Sequence, residues 1–243
     1  MKEAGKYGMA KIVAFAILKS FLMLYILHLY PHNSIGFWRL LLGGLQVGES
    51  KFIFFVVIQI LPDFLFYHSV GSRYIRQLKA NYVYIFVRER NMKCFVRKSA
   101  LVSLFDILLY EAMEVILLFL VGMGLRENMV IQPDRFAVLF LYQFVKLSFL
   151  VIFCNMLLLK FHELVAVYAN LVLFALPLFL VGVLYDMGGA WEAAVKYIPF
   201  NWCNYNYILE TQLNPALMLC LSAAAGALLY WYMEKLFQCY EVV

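Results

Sequence analysis

The chain has 243 residues, of which 65% are hydrophobic and 14% are charged, and its mean hydropathy is +0.81. This apolar content exceeds what one soluble core of this size can bury, so the composition excludes an ordinary soluble domain and indicates an integral membrane protein. The net charge of +5 does not favour a nucleic-acid partner, because the cations concentrate in one segment between apolar runs, which is the pattern that sets membrane topology.

Six apolar runs are each long enough to cross about 30 Å of hydrocarbon at about 1.5 Å per helical residue. Because the runs are continuous rather than alternating, they predict helices rather than the strands of a barrel. The predicted fold class is therefore all-α, a polytopic membrane protein with one transmembrane domain over residues 1–243. The six predicted spans are Ile12–Tyr30, Phe52–Val70, Ala100–Leu125, Phe136–Leu159, Leu164–Tyr185 and Ala216–Met233.

One basic segment, Arg73–Lys98, separates the second and third apolar runs. It carries eight of the chain's 20 Lys and Arg residues and a single acid, Glu89. Because positively charged loops stay on the cytosolic face, the segment predicts that both termini are cytosolic and that the number of spans is even. The loops 31–51, 126–135 and 186–214 are then expected outside.

Aromatic and aliphatic residues, Tyr84 and Phe95 among them, interrupt the charges of this segment. We therefore expect one or two short amphipathic helices at the inner surface, with cations facing water, lipid phosphate or an acidic partner. A topology anchor with no further role is the alternative interpretation.

The outer segment 186–214 is the longest stretch outside the predicted spans. Its apolar residues, broken at Pro199, predict a re-entrant-like helix–break–helix, and its aromatic residues suit the outer interface. Asn214 and Pro215 then predict the N-cap and first position of the last helix. The segment is either a gate on an exit route or an anchor for the hairpin. The candidate gate or interface residues are Trp191, Trp202, Tyr205 and Tyr207.

Ionisable residues within spans are costly and usually face a protein interior or a wet cavity. Matching depths of about 15–17 Å and opposite signs predict two ion pairs, Lys19 with Asp63 and Lys146 with Glu114. The six intramembrane candidates, for charge pairs or for a translocation path, are Lys19, Asp63, Asp106, Glu111, Glu114 and Lys146.

Three of these acids lie on the third predicted span, where Asp106, Tyr110 and Glu114 recur at intervals of four residues and Glu111 widens the same face. Such an arc either locks helices together or lines a substrate or proton path. The structural interpretation is favoured because unpaired charges in lipid are so unfavourable. On the last span, Ser222 and Gly226 form a small-xxx-small pair, which permits close helix contact.

No catalytic motif is present. The chain has no glycine-rich phosphate loop ending in Lys-Ser or Lys-Thr and no zinc-protease or serine-hydrolase motif, and its four histidines are scattered along the chain. Glu111 and Glu114 are not adjacent, unlike the paired glutamates of intramembrane CAAX-type proteases. The sequence therefore predicts no enzyme activity, no catalytic residue, no metal site and no cofactor on this chain.

The run Asn81–Lys93, NYVYIFVRERNMK, resembles the signature of small permeases found beside bacteriocin and lantibiotic export or immunity genes, which is Tyr-hydrophobic-Arg-x-Arg-x-x followed by Lys or Trp. Gly36–Gly44 is similar to the glycine-rich outer loop of such chains. With the six predicted spans and the outer segment, the whole chain resembles type-2 ABC exporter permeases. In that family the loop after the second span contacts the nucleotide-binding subunit. Carried over, the ATPase-coupling residues would be Tyr84, Arg88, Glu89, Arg90, Lys93, Arg97 and Lys98.

The resemblance implies a transmembrane permease subunit in the cytoplasmic membrane of a bacterium. It would move a peptide or amphiphile outward, in bacteriocin-type export or in immunity. ATP and Mg would bind to a separate ABC ATPase subunit, and a second permease subunit, identical or not, would complete the transporter in the lipid bilayer. The alternative is an ATP-independent carrier or channel that uses the intramembrane acids as a proton or ion path. An intramembrane enzyme is a third class, for which the sequence offers no catalytic set.

Overall fold

The computed structural model describes residues 2–29, 42–80, 92–125, 133–198 and 201–238, and every regular element in these ranges is helical. A π-helical turn at Tyr67–Gly71 separates the second and third helices. The helices are α1 (Lys2–Leu29), α2 (Ile53–Phe66), α3 (Arg73–Ala80), α4 (Met92–Leu125), α5 (Pro133–Lys160), α6 (Glu163–Met187), α7 (Ala190–Val195), α8 (Tyr205–Glu210) and α9 (Pro215–Gln238).

Five helical stretches are long and apolar enough to cross a membrane, which indicates a multi-pass membrane protein. The predicted third span lies in α4, which has 34 residues but is not one of these five. A sixth span and the sidedness of the bundle therefore stay predictions. The five stretches are Gly8–Tyr25, Ile53–Gly71, Phe136–Lys160, Glu163–Met187 and Pro215–Leu236.

The long helices form one bundle. Helix α1 packs against α2 and α4, while α5 contacts α4, α6 and α9. The largest core cluster draws Ile12, Phe66, Tyr110 and Leu147 from four different helices. The bundle therefore brings the polar residues of α1, α2, α4 and α5 into one interior.

The π-helical turn lies at the end of the second predicted span. A π turn departs from the α-helical hydrogen-bond pattern, and such turns are frequent at functional positions. Here the carbonyl of Gly71 accepts hydrogen bonds from Asn155 Nδ2 at 3.2 Å and from Ser103 Oγ at 3.4 Å. A Cβ at Gly71 would lie 2.7 Å from the Val151 side chain. The turn therefore requires glycine where α4 and α5 approach the second helix.

Two short helices, α7 and α8, form on either side of the predicted break, while Pro199 itself lies outside the described residues. Helix α9 begins at Pro215, and the Asn214 side chain accepts a hydrogen bond from the backbone N–H of Leu217 at 3.2 Å, so the predicted N-cap is also confirmed. We call residues 186–198 and 201–213 with the facing loop 42–52 the outer cap, after the side on which the sequence predicts them. The opposite end of the bundle, which carries Arg76, Lys79, Arg97 and Lys160, is called the basic end.

Candidate functional site

Four buried side chains form a continuous chain of ion pairs in the middle of the bundle. Asp63 lies between two lysines: its Oδ1 is 3.0 Å from Lys19 Nζ and its Oδ2 is 2.7 Å from Lys146 Nζ. Lys19 Nζ also lies 2.8 Å from Glu114 Oε2. We call Lys146–Asp63–Lys19–Glu114 the charge network.

The network connects four helices, because its members come from α5, α2, α1 and α4 in that order. The side chains of Lys19, Asp63 and Glu114 are 0–1% exposed. Tyr110 encloses the centre, since its ring centroid is 5.4 Å from Lys19 Nζ and its hydroxyl lies 3.5 Å from Asp63 Oδ1. Breaking one pair would leave a buried charge without a partner, so the network holds these helices in one arrangement.

The predicted pair of Lys19 with Asp63 is confirmed, but the predicted pair of Lys146 with Glu114 is wrong. Lys146 pairs with Asp63 instead, and Glu114 pairs with Lys19. Depth along a span orders residues across the membrane but does not give the rotation of each helix. In this bundle the rotation points both lysines at Asp63, and each of its two carboxylate oxygens pairs with one lysine ammonium group.

Asp106 belongs to a second pair nearer the basic end. Its Oδ2 lies 2.8 Å from a guanidinium nitrogen of Arg73. The sequence predicted Asp106 as an intramembrane acid but placed Arg73 only at the start of the basic segment. An arginine side chain is long enough to extend along apolar surface to a carboxylate. The presence of an arginine just after the second span could therefore have suggested its pairing with Asp106.

Glu111 is buried, and neither of its carboxylate oxygens has a hydrogen-bond partner within the described ranges. The charge network next to it contains two lysines, Lys19 and Lys146, and two carboxylates, Asp63 and Glu114. A protonated Glu111 keeps this interior electrically balanced, whereas an ionised one would add a buried charge without a partner. Glu111 therefore stands apart from the ion pairs, as the sequence predicted.

The charge network meets a cavity at its Lys146 end. Lys146 lines a cavity of about 220 Å³ together with Phe174 of α6 and Trp202 and Cys203 of the outer cap. The Lys146 side chain is 9% exposed, so it is the most accessible of the four members. The network is thus closed over most of its length and approachable from the outer cap.

The four candidate residues of the outer cap occupy different environments. Trp191 is 53% exposed, whereas Tyr207 is buried and donates a hydrogen bond to the carbonyl of Val195, which joins α8 to α7. Trp202 Nε1 donates to the Lys196 carbonyl at 3.2 Å, and the Tyr205 ring lies 5.4 Å from the ring of Tyr142 on α5. Only Trp202 lines the cavity at Lys146, so it is the gate candidate that the structure places at a cavity.

Sequence reasoning missed the hydrogen bonds that hold the outer cap together. Asn206 Nδ2 donates to the Gly44 carbonyl at 2.6 Å, and Asn204 Nδ2 donates to the Leu45 carbonyl at 3.0 Å. Glu210 accepts from the Val47 N–H at 2.7 Å. An asparagine beside an aromatic residue does not by itself predict a hydrogen-bond partner. Here the partners are backbone carbonyl groups far away in the sequence.

Most of the predicted ATPase-coupling residues, Tyr84, Arg88, Glu89 and Arg90, lie outside the described residues, as does the signature run from 81 to 91. Lys93 lies in the first turn of α4. Arg97 is 67% exposed and pairs with Glu234 at 3.3 Å, and Lys98 is exposed.

The described start of the basic segment, α3, is amphipathic, whereas most of the residues on which the predicted amphipathic helices rest lie outside the described ranges. Ile75 and Leu78 are buried on one face. On the other face, Arg76 pairs with Glu163 at 3.1 Å, and Lys79 Nζ donates to the Phe161 carbonyl at 2.9 Å. Helix α3 is therefore fixed to the link between α5 and α6.

The chain matches no protein-family model, no curated protein and no solved structure. Among the residues that the structure describes, no group of three His, Cys, Asp or Glu side chains could hold a metal ion.

Proposed function

We propose that this chain is the transmembrane permease subunit of a bacterial ABC exporter. It lies in the cytoplasmic membrane, pairs with a second permease subunit and moves a peptide or amphiphile outward, in bacteriocin-type export or immunity. A separate ATPase subunit binds and hydrolyses ATP.

The attachment of α3 carries this proposal. The helix follows the second apolar helix directly, through the π-helical turn, and the Arg76–Glu163 pair and the Lys79 hydrogen bond tie it to the link between α5 and α6. A segment that passes on the movement of an ATPase must be rigidly joined to the spans that it moves. The predicted docking residues follow α3 in the chain. A force applied to them therefore reaches both α2 and the link between α5 and α6.

The charge network supports the same proposal from the interior. It joins α1, α2, α4 and α5 through buried pairs of 2.7–3.0 Å. Helices tied in this way rotate or shift together, as rigid-body transitions require. In this account the buried charges are structural, and the chain supplies no chemistry of its own.

Recovery of an ATPase with the chain tests the proposal. The tagged full-length protein is purified from its native membranes in mild detergent, and co-purifying proteins are identified by mass spectrometry and assayed for ATP hydrolysis. We expect an ABC ATPase that is lost when Arg88, Arg90 and Lys93 are changed to Glu. The control carries Lys51→Glu and Lys196→Glu at the outer cap and should retain the ATPase. Equal retention by both variants would contradict the assigned contact.

An ATP-independent carrier is the second candidate function, and two observations favour it. Glu111 is buried without a hydrogen-bond partner in the described ranges, and Lys146 connects the charge network to a cavity. A proton could be exchanged at such a carboxyl group. The discriminating measurement is proton flux into liposomes containing the chain alone: flux that is abolished by Glu111→Gln would favour the carrier, and its absence would favour the permease subunit.

A further inference from the structure

We propose that an apolar groove between α4, α5 and α9 binds one acyl chain of a glycerophospholipid from the leaflet at the basic end, with the lipid phosphate at Arg97. This inference is independent of the proposed transport function. It concerns a specific lipid site, distinct from the lipid that surrounds any membrane protein.

The groove has a volume of about 560 Å³. Three stretches of equal length form its walls, residues 96–107 of α4, 144–155 of α5 and 222–233 of α9, and Tyr74 and Ile75 of α3 close one end. A volume of about 300–1,000 Å³ is usual for sites that bind small molecules.

The length and position of the groove match one leaflet. Each wall covers twelve residues, or about 18 Å of helix at about 1.5 Å per residue, and half of a hydrocarbon layer is about 15 Å thick. The stretches on α4 and α5 lie toward the helix ends at the basic end, and the stretch on α9 extends from the middle of that helix toward the same end. The groove thus runs from that interface to the middle of the bundle, which is the depth an acyl chain of that leaflet occupies.

Small residues of α9 keep the groove open. Ser222, Ala223, Gly226 and Ala227 line it, and a Cβ added to Gly226 would meet no atom within 4 Å. The sequence predicted that this small-xxx-small pair permits close helix contact. Helix α9 does pack against α5, but the space in front of Gly226 belongs to the groove.

A cation stands where the groove reaches the basic end. Arg97 lines the groove and is 67% exposed, and its ion pair is with Glu234 at 3.3 Å. A guanidinium group has five N–H donors, so this pair leaves donors for a phosphate oxygen. Ser99, two residues further along α4, also lines the groove and is buried.

The interior of the groove also contains an unsatisfied polar atom. Asn155 is 7% exposed and lines the groove; its Nδ2 donates to the Gly71 carbonyl, while its Oδ1 has no hydrogen-bond partner among the described residues. An amphiphile whose polar groups lie at this level fits better than a purely apolar occupant. A transmembrane helix of a partner or of a second copy fits worse, since a helix would need a groove through both leaflets.

Photolabelling of the full-length protein tests the site. The protein is purified in detergent, depleted of lipid and titrated with phosphatidylglycerol, phosphatidylethanolamine or diacylglycerol, each with a diazirine in the acyl chain, and labelled peptides are identified by mass spectrometry. Gly226→Leu should fill the groove without a backbone clash. Ala224→Leu adds the same side chain at an exposed position of α9 that lines neither this groove nor the cavity at Lys146, and it serves as the matched control.

We expect saturable labelling within 96–107, 144–155 and 222–233, weakened about tenfold by Gly226→Leu and unchanged by Ala224→Leu. Both phospholipids should label the groove better than diacylglycerol does. Arg97→Gln should lower the ratio of phospholipid labelling to diacylglycerol labelling about threefold, whereas Lys98→Gln should leave this ratio unchanged. Labelling spread over all exposed helix faces, or insensitive to Gly226→Leu, would overturn the site. Equal labelling by diacylglycerol would overturn the phosphate contact, and protection of the groove in a dimeric fraction would assign it to a second copy.

Discussion

Lys146 Nζ lies 2.7 Å from Oδ2 of Asp63 in the interior of the bundle. The other oxygen of Asp63 holds Lys19, so one carboxylate on α2 connects α5 to α1. Because Lys19 continues the chain of pairs to α4, Asp63 is the residue on which the arrangement of four helices depends. Removing the charge of Asp63 should therefore destabilise the protein.

Asp63→Asn should lower the free energy of unfolding by about 3 kcal/mol, since it leaves the Lys146 ammonium group buried without an acid. Thermal unfolding in detergent, followed by circular dichroism, measures the loss. Asp186→Asn is the control, because the Lys51–Asp186 pair has the same N···O distance of 2.7 Å but is 35% and 49% exposed. That substitution should cost less than about 1 kcal/mol.

The pairing itself is tested by double-mutant cycles on the same assay. The coupling energy between Asp63→Asn and Lys146→Met should exceed that between Glu114→Gln and Lys146→Met, which lie at opposite ends of the network. The reverse order would contradict the observed pairs and restore the pairing expected from depth alone.

Glu111→Gln should change stability by less than about 1 kcal/mol, because Gln replaces a protonated carboxyl group of the same shape and breaks no ion pair. Glu114→Gln, three residues further along α4, should destabilise the protein by more, since it removes a carboxylate that lies 2.8 Å from Lys19. Thermal unfolding of both variants at neutral pH makes the comparison. A larger loss at Glu111 would mean that Glu111 is ionised and paired.

Gly182→Ala should disrupt the contact between α6 and the loop of the outer cap. A Cβ at Gly182 would lie 2.1 Å from the backbone nitrogen of Lys51, so the two backbones would have to separate. We expect a loss of about 1–3 kcal/mol, as is usual for overpacking. Gly226→Ala is the matched control within a helix, and unchanged thermal unfolding of Gly182→Ala would contradict the close approach.

Glu49 in the outer cap should make stability depend on pH. Burial raises the pKa of its carboxyl group, and the nearby Glu210 raises it further, against the opposing hydrogen bond from the Gln46 N–H. The folded pKa is then above the unfolded one, so the ionised form destabilises the folded state above the folded pKa, and this penalty disappears as the pH falls below the unfolded value. Glu49→Gln should therefore unfold at a higher temperature than the parent at pH 8, with the difference vanishing near the ordinary pKa of glutamate. An unchanged difference across this range would contradict the prediction.

The location of the long helices could be predicted because apolar runs of sufficient length are a local property, although α1 and α4 begin well before the predicted spans at Ile12 and Ala100. The pairing of Lys146 with Asp63 could not, since it depends on how α2 and α5 rotate about their axes. The Arg73–Asp106 pair depends on the reach of a flexible side chain. The groove at Gly226 depends on the space left between three helices, and a sequence shows that a residue is small without showing what lies in front of it.

Crosslinking from Tyr84 tests whether a separate ATPase docks on the basic segment. A photoreactive phenylalanine analogue is placed at Tyr84 in living cells, and at Tyr197 of the outer cap, which is 79% exposed, as the control. The account predicts an ultraviolet-dependent crosslink from position 84, and none from 197, to a protein that contains a phosphate-binding loop. Crosslinks from position 84 to lipid alone, or equal crosslinking from both positions, would contradict it.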